Sequence, residues 1–197
     1  MDLSDVAVFM DRDGTVSKEI GYVNHPNRYE LLPRSGLAIK KLNQSGIKAI
    51  LATNQAGVAR GYFKEEMIGQ VHNRLEELLE SEGAYLDAIY YCHHHPRVGE
   101  GKFKKECNCR KPEPGMLLQG KEEFGVDLKK SYMIGDKISD VEVAHRVGAK
   151  GILVLTGYGM GDYQNAQDDW KVEPDYIAED LFDAVEWILM DIEAREN

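Results

Sequence analysis

The chain of 197 residues is short of several things. No apolar run approaches the ~20 residues that a membrane-spanning helix needs, so no membrane association is expected. The opening stretch MDLSDVAVFMDRDG has neither a basic region nor a long apolar core, so no signal peptide is read there and a cytoplasmic location is expected. Basic residues are in deficit. The 24 Lys and Arg face 34 Asp and Glu, for a net charge of −10, which argues against a general nucleic-acid binder. Cysteine is scarce, and the count of three is odd. Three thiols clustered at positions 92, 107 and 109 make a poor disulfide framework and a better metal-binding one. Internal repeats and low-complexity tracts are absent, and no large insert interrupts the chain.

What remains is globular, with 43% hydrophobic residues and enough length to bury a full core in a single domain over 1–197. Residues 6–10 (VAVFM) form a short apolar run that ends at the polar turn Asp11-Arg12-Asp13-Gly14, the signature of a strand buried on both faces. Further strands are predicted at 48–53, 88–91, 131–134 and 151–155. Helices are predicted at 35–45, 64–82, 114–124, 139–147 and 180–192. Residues 93–111 read as a long loop, and 156–171, rich in Gly, Asp, Gln and Asn, as loop or weak structure. Beyond 159 a peripheral strand and helix are expected. The alternation of strand and helix predicts an α/β fold with a mainly parallel, three-layer Rossmann-like sheet and no mobile cap. In such sheets ligands sit outside the carboxyl ends of the strands. That rule selects the polar residues after strands one, two and four.

Asp11 and Asp13, two apart on extended backbone, point to one side. Thr53, Asn54 and Gln55 offer neutral donors suited to phosphoryl oxygens, though they are equally at home in turns. Arg110 and Lys111, ahead of the third helix, could neutralise phosphate, or stand as a solvated pair. Gly135 and Asp136 end the fourth strand, followed by Lys137 and Asp140. Asp140 is as well explained by a helix N-terminus, where acids are favoured.

The cysteines add a second pattern. Cys92-x-His94 and Cys107-x-Cys109 supply three thiolates and one imidazole, the donor set of tetrahedral zinc. The spacing of two selects His94 and points His93 and His95 elsewhere. Four protein ligands leave no open position, so the Zn²⁺ is expected to be structural, stapling a loop too polar to hold itself.

DxDGT after strand one, a Thr after strand two, a cation before the third helix and GD…D after strand four occur in order. In this the sequence resembles the haloacid dehalogenase-type phosphotransferases. The stretches Gly21-Tyr22-Val23, 53–61 (TNQAGVARG), 90–92, 109–112 and 135–137, with the zinc pattern, resemble the histidinol-phosphatase-like group, and within it the heptose 1,7-bisphosphate phosphatases. The resemblance spans about residues 6–158. It implies a Mg²⁺-dependent phosphatase acting on a phosphorylated sugar. Asp11 would be the nucleophile, Asp13 the general acid and base, and Thr53, Arg110 and Lys111 further catalytic groups. The Mg²⁺ would be held by Asp11, the backbone carbonyl of Asp13, and Asp136. Substrate contacts are implied for Asp11, Arg12, Asp13, Glu19, Ile20, Gly21, Tyr22, Thr53, Asn54, Gln55, Ala56, Arg110, Lys111 and Lys137. Removal of a sugar 7-phosphate is implied, with histidinol phosphate as the rival substrate and an inactive zinc-containing binding module as a remoter one. A monomer is expected. Glu19 stands where the group has a shorter acid, and 23–28 is more basic than usual there.

Overall fold

The computed structural model describes residues 3–196. Six strands, β1 (Ala7–Met10), β2 (Lys48–Asn54), β3 (Ala88–Cys92), β4 (Tyr132–Gly135), β5 (Lys150–Val154) and β6 (Tyr176–Ala178), form one sheet in the order β3-β2-β1-β4-β5-β6. Every neighbouring pair is parallel. Six α-helices connect or follow them: α1 (Ser35–Gln44), α2 (Glu66–Ser81), α3 (Gly115–Phe124), α4 (Ile138–Arg146), α5 (Gly159–Asn165) and α6 (Leu181–Glu196).

The period of two along the strands sorts the core into two halves. Val8 and Met10 of β1, Ala49 and Leu51 of β2, and Tyr132 and Ile134 of β4 pack with α1, α2 and α6. The alternate residues Ala7, Phe9, Ile50, Ala52 and Met133 pack with α3 and α4. Both faces are covered, which is why the strands read as continuous apolar runs. From β1 the chain winds outward to β2 and β3, then returns to β4 on the other side of β1. That reversal opens a crevice at the carboxyl end of β1, flanked by β2 and β4.

One expectation needs correction. Residues 156–171 are not a plain loop: they contain α5 and a short 3-10 helix at Gln167–Asp169. The long loop at 93–111 carries a 3-10 turn at Gly101–Phe103, and His95 bridges to Lys104. Among the described residues no helix is long and apolar enough to cross a membrane.

Candidate active site

The ends of β1, β2 and β4 deliver their polar residues to one cavity of about 470 Å³, within the ~300–1,000 Å³ usual for small-molecule sites. Asp11, Asp13, Glu19, Gly21, Tyr22, Asn54, Gln55, Ala56, Arg110, Lys111 and Lys137 line it, as the sequence suggested. Thr53 lies just beneath, buried, its Oγ1 accepting a hydrogen bond from Gln55 Nε2 at 3.1 Å. Ile20 is not among the lining residues. Asp140, which the sequence left between a helix-capping role and the GD…D motif, lines it too, and so do Arg60, Ser139 and Tyr158, which are not among the expected site residues. Tyr158 lies in the segment after β5, a strand end outside the three whose polar residues the sequence marks.

At the floor, Lys111 is buried between two carboxylates. Its Nζ lies 3.0 Å from Asp11 Oδ1 and 2.6 Å from Asp140 Oδ1, ion-pair contacts whose angles fall outside hydrogen-bond geometry. Burial alone would lower the Lys111 pKa, but Asp11 and Asp140 hold it above the usual value. Burial would likewise raise Asp11, yet Lys111 and Lys137 outweigh it and keep its carboxyl below the ordinary range. Asp11 is therefore ionised at neutral pH.

Lys111 is positioned by Asn54. The Asn54 Oδ1 accepts from the Lys111 backbone N–H at 3.0 Å, and its Nδ2 donates to the Lys111 carbonyl at 3.1 Å. Both groups of one amide thus clamp the N–H and C=O of one residue, on a loop that has no strand partner there. Arg110 is tied from the other side, donating to the His94 carbonyl at 3.3 Å.

Asp140 does both things that could be asked of it. Its Oδ2 accepts from the Lys137 backbone N–H at 3.3 Å, a helix cap, while Oδ1 faces Lys111. Glycines make room for this crowding. A Cβ on Gly14 (φ +84°) would meet Asp136 Oδ2 at 2.1 Å, and one on Gly135 would meet Asp140 Oδ2 at 2.1 Å.

Asp136 is fully buried. Its Oδ2 accepts from the Tyr158 backbone N–H at 2.9 Å, but Oδ1 has no hydrogen-bond donor, the Lys137 ammonium standing 3.5 Å away. Burial and the adjacent Asp11 charge push its pKa up to about 7. An orphaned, buried carboxylate oxygen beside a second carboxylate calls for a cation. Carboxylates of Asp11, Asp136 and Asp140 come within 4.8 Å of one another, a hard oxygen set that fits Mg²⁺. Because both Asp140 oxygens are already engaged, Asp11 and Asp136 are the carboxylates available to the ion.

The Asp13 carboxylate does not join that set. It is held by Arg12, whose Nε and Nη2 lie 3.2 and 2.9 Å from its two oxygens, and by Gln55 Nε2 at 2.8 Å. This also corrects the expectation for Arg12. Its side chain is 2% exposed and does not line the cavity, leaving only its backbone for a bound molecule.

The second metal group is complete. Cys92 Sγ lies 3.5 Å from Cys107 Sγ and 3.0 Å from Cys109 Sγ, and Cys107 lies 3.3 Å from Cys109. His94 Nδ1 is 3.7 Å from Cys92 Sγ and 3.4 Å from Cys109 Sγ. A tetrahedron with Zn–S arms of ~2.3 Å has edges of about 3.8 Å, so the cluster approaches the size zinc requires. No disulfide forms. The neighbouring histidines turn away as their spacing demands: His93 Nδ1 sits 3.1 Å from the Glu65 carboxylate, and His95 Nδ1 accepts from the Arg97 and Val98 N–H groups.

A parallel sheet with carboxylates at the ends of β1 and β4, a buried lysine between them and no cap defines a haloacid dehalogenase-type phosphotransferase. A HAD-hydrolase-like family model matches residues 108–184. The D-glycero-D-manno-heptose-1,7-bisphosphate 7-phosphatase of Thermosynechococcus vestitus is 41% identical over 96% of this chain and 98% of its own. The D-glycero-beta-D-manno-heptose-1,7-bisphosphate 7-phosphatase of Escherichia coli K12 is 38% identical over 83% of this chain and 86% of its own. The D,D-heptose 1,7-bisphosphate phosphatase of B. bronchiseptica, solved with magnesium and phosphate, superposes with a TM-score of 0.82 at 33% identity, covering 94% of this chain and 98% of its own. The chain belongs to the heptose-1,7-bisphosphate 7-phosphatase family.

Proposed function

We propose that this chain is a Mg²⁺-dependent phosphoric monoester hydrolase that removes the 7-phosphate of D-glycero-D-manno-heptose 1,7-bisphosphate and leaves heptose 1-phosphate. The observation that carries it is the buried group of Asp11, Lys111, Asp136 and Asp140 at the floor of a sugar-sized cavity. The Asp11 and Asp136 carboxylates and the Asp13 carbonyl would hold Mg²⁺, which would supply the positive charge that lets an anionic carboxylate approach a phosphate dianion.

The chain's own residues do the rest. The Asp11 carboxylate attacks phosphorus, the bond from phosphorus to the sugar oxygen breaks, and Asp13 gives its proton to the departing oxygen. Asp13 then takes a proton from water, which attacks the aspartyl-phosphate; phosphate leaves and the Asp11 carboxylate is restored. Lys111 and Thr53 hold the transferring oxygens. Thr53 accepts from Gln55, which leaves its own hydroxyl hydrogen free to donate. Arg110 and Arg60 give positive charge on the cavity wall for the phosphate that is retained. Zn²⁺ on Cys92, His94, Cys107 and Cys109 staples the loop that carries Arg110 and Lys111.

The test is a phosphate-release assay with Mg²⁺ on both heptose anomers and on histidinol phosphate. The heptose bisphosphates are expected to have the higher kcat/KM. A clear preference for histidinol phosphate would sink the substrate assignment, and no turnover on any of the three would leave a binding module.

A further inference from the structure

Among the described residues Arg12 is the largest fully buried side chain, and a buried guanidinium has to have its donors met. Three groups meet them. Nε and Nη2 bond the two Asp13 oxygens at 3.2 and 2.9 Å. Nη2 also donates to Gln55 Oε1 at 2.8 Å. Nη1 reaches His72 Nε2, on α2, at 3.2 Å. The Tyr29 ring lies 5.7 Å from the guanidinium carbon.

His72 can only be the acceptor in its contact, because a guanidinium has no lone pair to offer. Its pKa is depressed to about 3 by burial and by the Arg12 charge, so the ring is neutral. Nδ1 therefore carries the ring hydrogen. Nothing in the mechanism uses this histidine, and it touches neither cavity nor metal group. Its effect is mechanical: it fixes the far edge of a planar ion whose near edge holds Asp13.

The two Asp13 oxygens are not treated alike. Oδ2 receives two short bonds, from Arg12 Nη2 at 2.9 Å and Gln55 Nε2 at 2.8 Å. Oδ1 has only the longer Arg12 Nε contact, and the side chain is 15% exposed. Gln55 closes the ring, since its two amide atoms bond Arg12 and Asp13.

We propose that His72 is a positioning residue for the acid and base of this reaction. Through Arg12 it pins Asp13 Oδ2, so that Oδ1 is the oxygen that gives its proton to the departing sugar oxygen as the P–O bond breaks, and regains one from the attacking water. This rests on the reading of Asp13 as general acid and base.

The test compares leaving groups. First-turnover release is measured with heptose 1,7-bisphosphate, whose alkoxide needs a proton, and with 4-nitrophenyl phosphate, whose phenolate does not. His72→Leu is expected to slow the sugar substrate about tenfold and the aryl substrate less than about threefold, since a mispositioned acid forfeits part of a 10²–10⁴-fold contribution. His72→Gln, whose amide oxygen can reach the Nε2 position, is expected to restore the sugar rate. His72→Asn, too short to reach, is expected to behave like Leu. Gln and Asn are both polar, so their contrast decides the matter even where His72→Leu fails to fold. Equal losses on the two substrates, or Gln no better than Asn, would overturn the proposal. Asp13→Asn is the companion variant: a loss that ignores the leaving group there would strike the acid–base reading itself rather than the part given to His72.

Discussion

The two metal-ligand groups of this protein are built on opposite principles. The carboxylates Asp11, Asp136 and Asp140 follow the ends of β1 and β4, and the sheet brings them together. Of the sulfur and imidazole group, only Cys92 belongs to a strand; His94, Cys107 and Cys109 lie on a loop that the sheet does not organise. The first group is assembled by the fold, which crowds its buried carboxylates together. The second has little fold of its own to rely on, and its ion supplies the cross-link. The active site draws on both, because Arg110 and Lys111 directly follow Cys109 while Asp11 belongs to the sheet.

That contrast can be broken at several points. The largest effect is expected from Asp11→Asn, which should abolish turnover, a loss of about 10⁴-fold or more. Zinc content and unfolding temperature should stay near those of the parent chain, and measurable turnover at a normal rate would refute the nucleophile assignment. Lys111→Ala should cost about 10²–10³-fold in kcat, by analogy with loss of a group that stabilises developing charge. It should also leave Asp11 and Asp140 facing each other with no cation between them, so added Mg²⁺ should raise the unfolding temperature more in this variant than in the parent. A smaller rise would mean that Lys111 helps the ion to bind rather than substituting for it.

Cys109→Ser tests the other group. Zinc stoichiometry measured by atomic absorption should fall, and amide hydrogen exchange should quicken across residues 93–111 while the strands stay protected. The accompanying fall in kcat/KM should be about tenfold to a hundredfold, the cost of misplacing Arg110 and Lys111 by an ångström or so. Full activity without zinc would show that the Asn54 clamp alone holds the loop.

The smallest effect is a pH dependence carried by Asp136. Its folded-state pKa, about 7, lies above the ordinary 3.8, so between those values the folded protein binds more protons than the unfolded chain. This contribution to stability is therefore lost as pH rises through 7 when no ion is present. Mg²⁺ favours the ionised carboxylate and reverses the trend. Thermal unfolding should show a larger stabilisation by Mg²⁺ at pH 8 than at pH 6, and an equal shift at both would remove Asp136 from the ion's ligands.

Much of this was legible in the residues. The apolar runs with polar ends mark the strands, because a strand buried on both faces must be apolar throughout and must stop where the ligand crevice begins. The zinc pattern was legible because two-residue spacing fixes which ring and which thiols share a side. The segment 156–171 was misjudged because its Gly, Asp and Asn content opposes a helix locally. α5 forms all the same, its approach tied down by the Thr156 hydroxyl on the Gly14 carbonyl and the Tyr158 N–H on Asp136. Both of those partners are distant in sequence.

The chain of residues by itself determined the alternation of strands and helices and the four zinc donors, which follow from periodicity and spacing within short stretches, while the acids and cations took their roles from the resemblance of the ordered motifs to a family. Only the tertiary structure decided how they divide the work. That Arg12 turns inward to hold Asp13, that Asp140 caps a helix and braces Lys111 at once, and that His72 lies behind them depend on meetings that folding makes: Arg12 with Gln55 and His72 across 43 and 60 positions of chain, and Asp140 with Lys111 across 29. Local pattern carries no record of such meetings, because burial and charge compensation are settled by neighbours that only folding brings near.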